Sequence, residues 1–102
     1  MRIGALPPTV VRSREAVEAT MARMLAEGGR AGASRQAFHW VLTGAVTSPV
    51  SMSAPLGRPP TDVEIAAELD SASDALASAG DVARACAVME WLTGRRRHTV
   101  GS

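Results

Sequence analysis

The chain has 102 residues, which is enough for one domain with a modest core and too few for two. Hydrophobic residues make up 46% of it, but only one Phe and two Trp are aromatic, so Ala, Val, Leu and Met must fill the interior. This shortage of strand-forming aromatic residues argues against a β-sandwich or barrel and favours closely packed helices. The net charge of +1 excludes a strongly basic chain.

Cysteine usage and hydropathy set the expected compartment. The single Cys86 cannot form an internal disulfide, and no residues have the spacing of a zinc site, so we expect no metal or cofactor and a reducing, cytoplasmic environment. No apolar run reaches the ~18 residues of a membrane span, and the first residues do not resemble a signal peptide. We therefore expect no membrane insertion.

Charge is segregated along the chain. Residues 1–60 carry seven Arg and three Glu, whereas residues 61–90 carry seven acids and one Arg, and Arg95, Arg96 and Arg97 follow. Such separation either brings the two halves of the chain together or marks surfaces for different partners. The sequence leaves both alternatives open.

The first 27 residues contain an arm and a helix. Pro7 and Pro8 predict an extended arm over residues 1–12. Ser13 is the expected N-cap of a first helix that runs to about Glu27 and is stopped by Gly28 and Gly29. One face of this helix is apolar and is expected to be buried: Val17, Met21, Met24 and Leu25.

The second helix and the segment after it differ sharply in composition. Ser34 predicts a cap for a helix through Thr43, with Gly44 as its stop. Its expected inward residues are Ala37, Phe38, Val41 and Leu42. Residues 45–60, which we call the strap, contain four prolines and one glycine and cannot continue the helix. Four apolar strap residues are expected to cover the core: Val46, Val50, Met52 and Leu56.

The third and fourth helices have clear boundary signals. Thr61 and Glu64 form a predicted capping box after two prolines, and Gly80 separates this helix from one capped by Asp81 and stopped by Gly94. The third helix is expected to bury Ile65, Leu69, Ala72 and Leu76, and to expose Glu64, Glu68, Asp70 and Asp74. The fourth is expected to bury Val82, Ala85, Cys86, Met89 and Leu92.

These elements predict one all-α, four-helix domain. Two αα-hairpins, residues 13–44 and 61–94, are joined by the strap, with a basic tail over residues 95–102. Both hairpins end on a Trp and a Leu-Thr-Gly, as Trp-Val-Leu-Thr-Gly at residues 40–44 and Trp-Leu-Thr-Gly at residues 91–94. Internal duplication and shared cap chemistry are both consistent with this weak repeat.

Helical-wheel geometry singles out the two tryptophans. Trp40 lies about 130° from the apolar centre of its helix, and Trp91 about 140° from that of its own, on the side of Arg84. Large aromatic residues in such positions are enriched in protein interfaces. We therefore predict a protein interface at Trp40, Trp91 and Arg84. The alternative is that the arm or the strap covers the two rings.

Other chemical signals are weak. Arg95, Arg96 and Arg97 could bind nucleic acid, although cations at a helix C-terminus also suit the helix dipole. No catalytic or metal site is predicted, because Cys86 lies on a buried stripe, His39 has no nucleophile to pair with, and the acid pairs Glu64 with Glu68 and Asp70 with Asp74 lack a third ligand.

The sequence thus predicts a small helical protein–protein interaction module: an adaptor, an accessory subunit or a self-assembling component. Its partner would be another protein or a second copy of the chain. The alternative is a nucleic-acid-associated regulator that uses the Arg-rich surface and tail. Enzymatic activity is not expected.

Overall fold

A computed structural model describes residues 6–27, 32–74 and 80–95, with the backbone alone at 72–74. Four helices follow one another in that part of the chain: α1 (Arg14–Glu27), α2 (Gly32–Thr43), α3 (Asp62–Asp74) and α4 (Gly80–Thr93). The described ranges contain no strand. The predicted all-α fold class is confirmed.

Side-chain caps begin α1 and α3 where the sequence predicts them. The Ser13 hydroxyl accepts a hydrogen bond from the Ala16 N–H at 3.2 Å. In α3 the Thr61 hydroxyl accepts from the Glu64 N–H at 3.3 Å, and the Glu64 carboxylate accepts from the Thr61 N–H at 2.8 Å. This reciprocal pair satisfies two backbone donors that the first helical turn leaves without partners.

Two predicted caps are wrong. The helix α2 begins at Gly32 and α4 begins at Gly80, so Ser34 and Asp81 lie inside their first turns. The Asp81 carboxylate instead pairs with Arg84 at 3.2 Å. Several further predictions concern side chains outside those that the structure describes: the stops at Gly28 and Gly29, the burial of Ala72 and Leu76, and the exposure of Asp74.

The helices α2 and α4 end on the same cap. Gly44 and Gly94 take left-handed φ angles of 65° and 73°. Their N–H groups donate to helix carbonyls four residues back, at 2.9 and 2.8 Å. The hydroxyls of Thr43 and Thr93 each donate to the carbonyl four residues back at 2.7 Å. Thr-Gly therefore marks both helix ends for a physical reason, because glycine tolerates positive φ and the hydroxyl satisfies an end carbonyl.

The core lies mainly between α2 and α4, which form the most extensive helix contact, while α1 packs on α2 and α3 on α4. The grouping into two hairpins stays a prediction. The buried core of the described residues comprises Val17, Met21, Met24, Ala37, Phe38, Trp40, Val41, Leu42, Ile65, Leu69, Ala85, Cys86, Met89 and Leu92. Leu25, expected inside, is 41% exposed, since it lies at the edge of the α1 stripe in the last turn.

The strap returns to the end of α2. The Gly44 carbonyl accepts hydrogen bonds from the N–H groups of Leu56 and Gly57, at 2.9 and 3.0 Å. Val46, Val50 and Leu56 pack against the core as expected. Met52 was expected to do the same, and that was wrong. It occupies the outer side of a turn with φ 59°, and its side chain is 66% exposed.

An ion pair extends the cap of α3. The Arg58 guanidinium donates to both oxygens of Glu64, at 2.7 and 2.9 Å. This pair, together with the Thr61 N–H, lowers the pKa of the Glu64 carboxyl from 4.5 to about 2. The strap and the first turn of α3 are thereby joined by charge as well as by backbone.

The two capping glycines give a matched test of close packing. A Cβ atom at Gly44 would overlap the backbone carbonyl of Arg58, whereas a Cβ at Gly94 would meet only the flexible Val11 side chain, at 3.3 Å. We expect G94A to lower the free energy of unfolding by about 1 kcal/mol, from positive φ alone, and G44A by more than about 2 kcal/mol. Urea unfolding of both variants checks this. Equal losses would contradict the close contact at Gly44.

The Glu64 cap predicts a specific pH dependence. Because its folded pKa lies near 2 and its ordinary value is 4.5, the ionised carboxylate stabilises the fold above about pH 4.5. That contribution is lost as the pH falls towards 2. We expect the melting temperature of E64Q, and of R58A to a smaller degree, to fall less over this range than that of the wild type. Parallel melting curves for E64Q and the wild type would contradict this.

Candidate functional site

Trp40 lies in the core and is only 3% exposed. The prediction that its side chain faces away from the core was wrong, because the strap extends the core over that side of α2. The strap residues Ser48, Ser51 and Leu56 line the same cavity as Trp40. The alternative of a ring covered by the strap is therefore the arrangement observed.

The burial of Trp40 leaves one polar atom unsatisfied. Its indole Nε1 is inaccessible to solvent and finds no acceptor among the described residues. Buried donors normally have partners, and one without a partner costs free energy. Trp40 is thus almost completely buried, but its hydrogen bonding is incomplete.

Trp91, by contrast, is half-buried at the edge of the core. Its ring lies 6.4 Å from that of Phe38, between centroids, at an interplanar angle of 37°. The Arg12 guanidinium lies over the ring, 5.1 Å from its centroid, and the Arg12 Nε donates to the Trp91 carbonyl at 2.7 Å. The N-terminal arm therefore contacts Trp91 through a cation and leaves part of the ring exposed.

A groove opens beside Trp91, where α1, α2 and α4 meet. We call it the Trp91 groove; its volume is about 260 Å³. Its lining comprises Thr20 and Arg23 from α1, Ser34 and Phe38 from α2, and Arg84, Ala87, Val88 and Trp91 from α4. The structure brings together two of the three predicted interface residues, Arg84 and Trp91. Trp40 does not line this groove, and the interface role of all three stays a prediction.

The charge of the Trp91 groove is positive. Two arginines and no carboxylate line it. Arg84 pairs with Asp81 at 3.2 Å, but both side chains are more than half exposed, and exposed pairs of this kind are weak. Arg23 donates to the Thr20 hydroxyl at 3.4 Å. Both guanidinium groups can therefore turn to an incoming anion at little cost.

The periodicity of the sequence predicted the α4 side of the groove but not the sides formed by α1 and α2. Arg84 and Trp91 are seven residues apart on one helix, so their shared face follows from periodicity. Arg23 and Phe38 come from separate helices, and nothing local indicates that they converge. The one available signal is the i, i+3 spacing of Thr20 and Arg23, which puts both on one side of α1.

Glu68 was expected in solvent and is instead 4% exposed. Its carboxylate accepts hydrogen bonds from the N–H groups of Val50 and Ser51, at 2.6 and 2.8 Å, and from the Ser51 hydroxyl at 2.7 Å. The strap supplies all three donors. This explains the error, because a buried carboxylate needs donors that no helical pattern reveals.

Among the described residues, acids at the start of α3 lie beside arginines from the strap and from the tail. Arg58 in the strap binds Glu64, and the Arg95 Nε lies 3.7 Å from the Asp62 carboxylate. These contacts are local to the start of α3, so both alternatives for the segregated charge stay predictions. For the nucleic-acid hypothesis, Arg95 is thus already beside an acid, and Arg96 and Arg97 lie outside the described residues.

Cys86 is buried. No group of three or more His, Cys, Asp or Glu in the described ranges could hold a metal ion. Within those ranges, no helix has both the length and the apolar character that a membrane span requires. Comparison with known proteins gave no match to a family model, a curated protein or a solved structure.

The two tryptophans should differ in their access to solvent. In W91F and W40F, which leave Trp40 and Trp91 respectively as the single tryptophan, we expect acrylamide to quench Trp91 more strongly than Trp40, because only Trp91 is half-buried. Stern–Volmer constants measured on both folded variants check this. Stronger quenching of Trp40 would contradict its cover by the strap.

Proposed function

We propose that this protein is a protein–protein interaction module whose binding surface is the Trp91 groove. The observation that carries the proposal is the combination of a half-exposed Trp with two arginines around a space of about 260 Å³. Trp and Arg are the residues most enriched at the energetic centres of protein interfaces. A space of this size, with aromatic and aliphatic walls, accommodates a large apolar side chain of a partner.

Charge indicates the chemistry of that partner. Arg23 and Arg84 line the groove, and Arg12 lies over the ring of Trp91. A segment that inserts an apolar side chain and carries carboxylates beside it would meet the two arginines of the groove, with a third cation next to Trp91. Complementary charge increases association rates and suppresses partners of the wrong sign. We therefore infer an acidic protein segment with one apolar anchor residue.

A second copy of the chain is a poorer match for this groove. The acids of α3 are the densest negative cluster in the sequence, and three of them are engaged within the chain. Glu64 binds Arg58, Asp62 lies beside Arg95, and Glu68 is buried under the strap. Asp70 is exposed and is the one other acid of α3 whose side chain the structure describes. A foreign segment with several free carboxylates therefore fits the groove better than this helix does. The nucleic-acid alternative stays a prediction that no described contact favours.

The test uses two synthetic helical peptides that share a Leu stripe and differ in charge, one flanked by Glu and the other by Lys. We expect the Glu peptide to shift the NMR signals of Ala87, Val88 and the Trp91 indole, and to bind about tenfold more tightly than the Lys peptide. R84A and R23A should each weaken binding about threefold, in line with exposed ion pairs, whereas R35A, outside the groove, should not.

Two results would overturn the proposal. Equal binding of the Glu and Lys peptides, or shifts confined to residues away from the groove, would remove the electrostatic argument. Light scattering supplies the second: we expect a constant mass of 10.6 kDa as concentration rises. A mass that increases with concentration in the wild type, and stays constant in W91A, would make a second copy the occupant.

A further inference from the structure

We propose that the strap is a cover with two states, closed over Trp40 and released, and that Glu68 with Ser51 forms the latch that keeps it closed. The latch is defined by these two residues and the hydrogen bonds between them. None of its residues lines the Trp91 groove, so this proposal stands independently of the binding function.

One carboxylate holds the strap to α3. Both Glu68 oxygens are used: Oε2 accepts from the N–H groups of Val50 and Ser51, and Oε1 accepts from the Ser51 hydroxyl. Hydrogen bonds to an ionised acceptor are stronger than those between neutral groups, more so in a site that is 4% exposed. Losing this single side chain would remove all three bonds together.

The turn that Glu68 holds can move as a unit. The Ser48 N–H donates to the Ser53 carbonyl at 3.1 Å, and the Ser53 N–H donates to the Ser48 hydroxyl at 2.8 Å. The base of the strap has separate bonds, from Leu56 and Gly57 to the Gly44 carbonyl. The segment between these points can therefore swing away from Trp40 without unwinding a helix.

The closed state carries two local costs that release would relieve. The Trp40 Nε1 has no acceptor among the described residues, whereas water would satisfy it once the strap moves. Met52 is held at φ 59°, a conformation that favours glycine, and a released turn could relax it. Against these costs stand the burial of the Trp40 ring, the packing of Val50 against the core, the hydrogen bond from the Gln36 side chain to the Thr47 carbonyl and the three bonds to Glu68. Because these free-energy contributions have opposite signs, the hydrogen bonds to Glu68 determine whether the strap is closed or released.

A cleft of about 330 Å³ also lies between the strap, α2 and α3, with Trp40, Ser48 and Glu68 among its walls. The strap is therefore not packed on these two helices along its whole length.

Ser51 is the point from which the latch can be controlled. It is exposed, and its hydroxyl also contacts the hydroxyls of Ser48 and Ser53, each at 2.9 Å. A negative charge on this side chain would face the Glu68 carboxylate at hydrogen-bonding distance. Like charges so close repel strongly in a partly buried site. Adding charge at Ser51 should therefore release the strap as effectively as removing Glu68.

The test follows Trp40 quenching and strap amide exchange in a W91F background, for E68A and S51D, with D70A on the same helix as a control. For E68A and S51D we expect the Stern–Volmer constant of Trp40 to rise about threefold or more, and the amides of Val50 and Ser51 to exchange about tenfold faster. The amides of Val41 and Met89 should keep their protection, and helical circular dichroism should not change. D70A should behave like its parent.

Two outcomes would overturn the proposal. If the strap amides and Trp40 keep their parental values in both E68A and S51D, Glu68 is not a latch. If strap and core amides lose protection together in both variants, the strap has no released state distinct from global unfolding. S51D provides an independent test if E68A fails to fold, because it changes an exposed side chain and leaves Glu68 in place.

Discussion

The structure depends on the contact between the end of α2 and the returning strap. Gly44 ends the helix with a positive φ, gives its carbonyl to Leu56 and Gly57, and lies against the Arg58 backbone. Arg58 then binds Glu64, the residue that caps α3. One glycine thus determines where the first half of the chain stops, where the strap closes and where the second half starts. Hydrophobic burial holds the helices together, but this junction sets their connection.

Local sequence signals predicted the helices, whereas contacts between residues far apart in the sequence determined the burial of Trp40 and Glu68. The side chains of Ser13 and Thr61 and the N–H groups of the two capping glycines bond to residues at most five positions away, so the sequence reveals these caps directly. Trp40 and Glu68 lie on regular helices, and their wheel positions were sound. Their burial depends on the strap, whose path follows no period. An irregular segment can therefore reverse the environment of a residue whose own conformation was predicted correctly.

The residues of the Trp91 groove also divide into those that periodicity predicts and those that only helix packing brings together. Periodicity on α4 was enough to associate Arg84 with Trp91. The groove beside them needs Arg23 from α1 and Phe38 from α2, and their convergence is a property of helix packing. Trp40 and Trp91 both lie in the last turn of a helix that ends on Thr-Gly, four and three residues before the glycine, yet Trp91 is partly exposed beside arginines and Trp40 is buried beside the strap. Similar helix ends have thus acquired different surroundings from the segments that follow or precede them.

The position of Glu68 in the chain has a consequence for biosynthesis. It follows Ser51 by 17 residues and Val50 by 18, so the strap leaves the ribosome before the carboxylate that orders it. Until α3 emerges, Trp40 has no ordered cover, and the nascent first half presents a large apolar ring to its surroundings. We therefore expect incomplete chains that end before α3 to expose an apolar surface that the finished protein hides, and exposed surface of that kind favours aggregation.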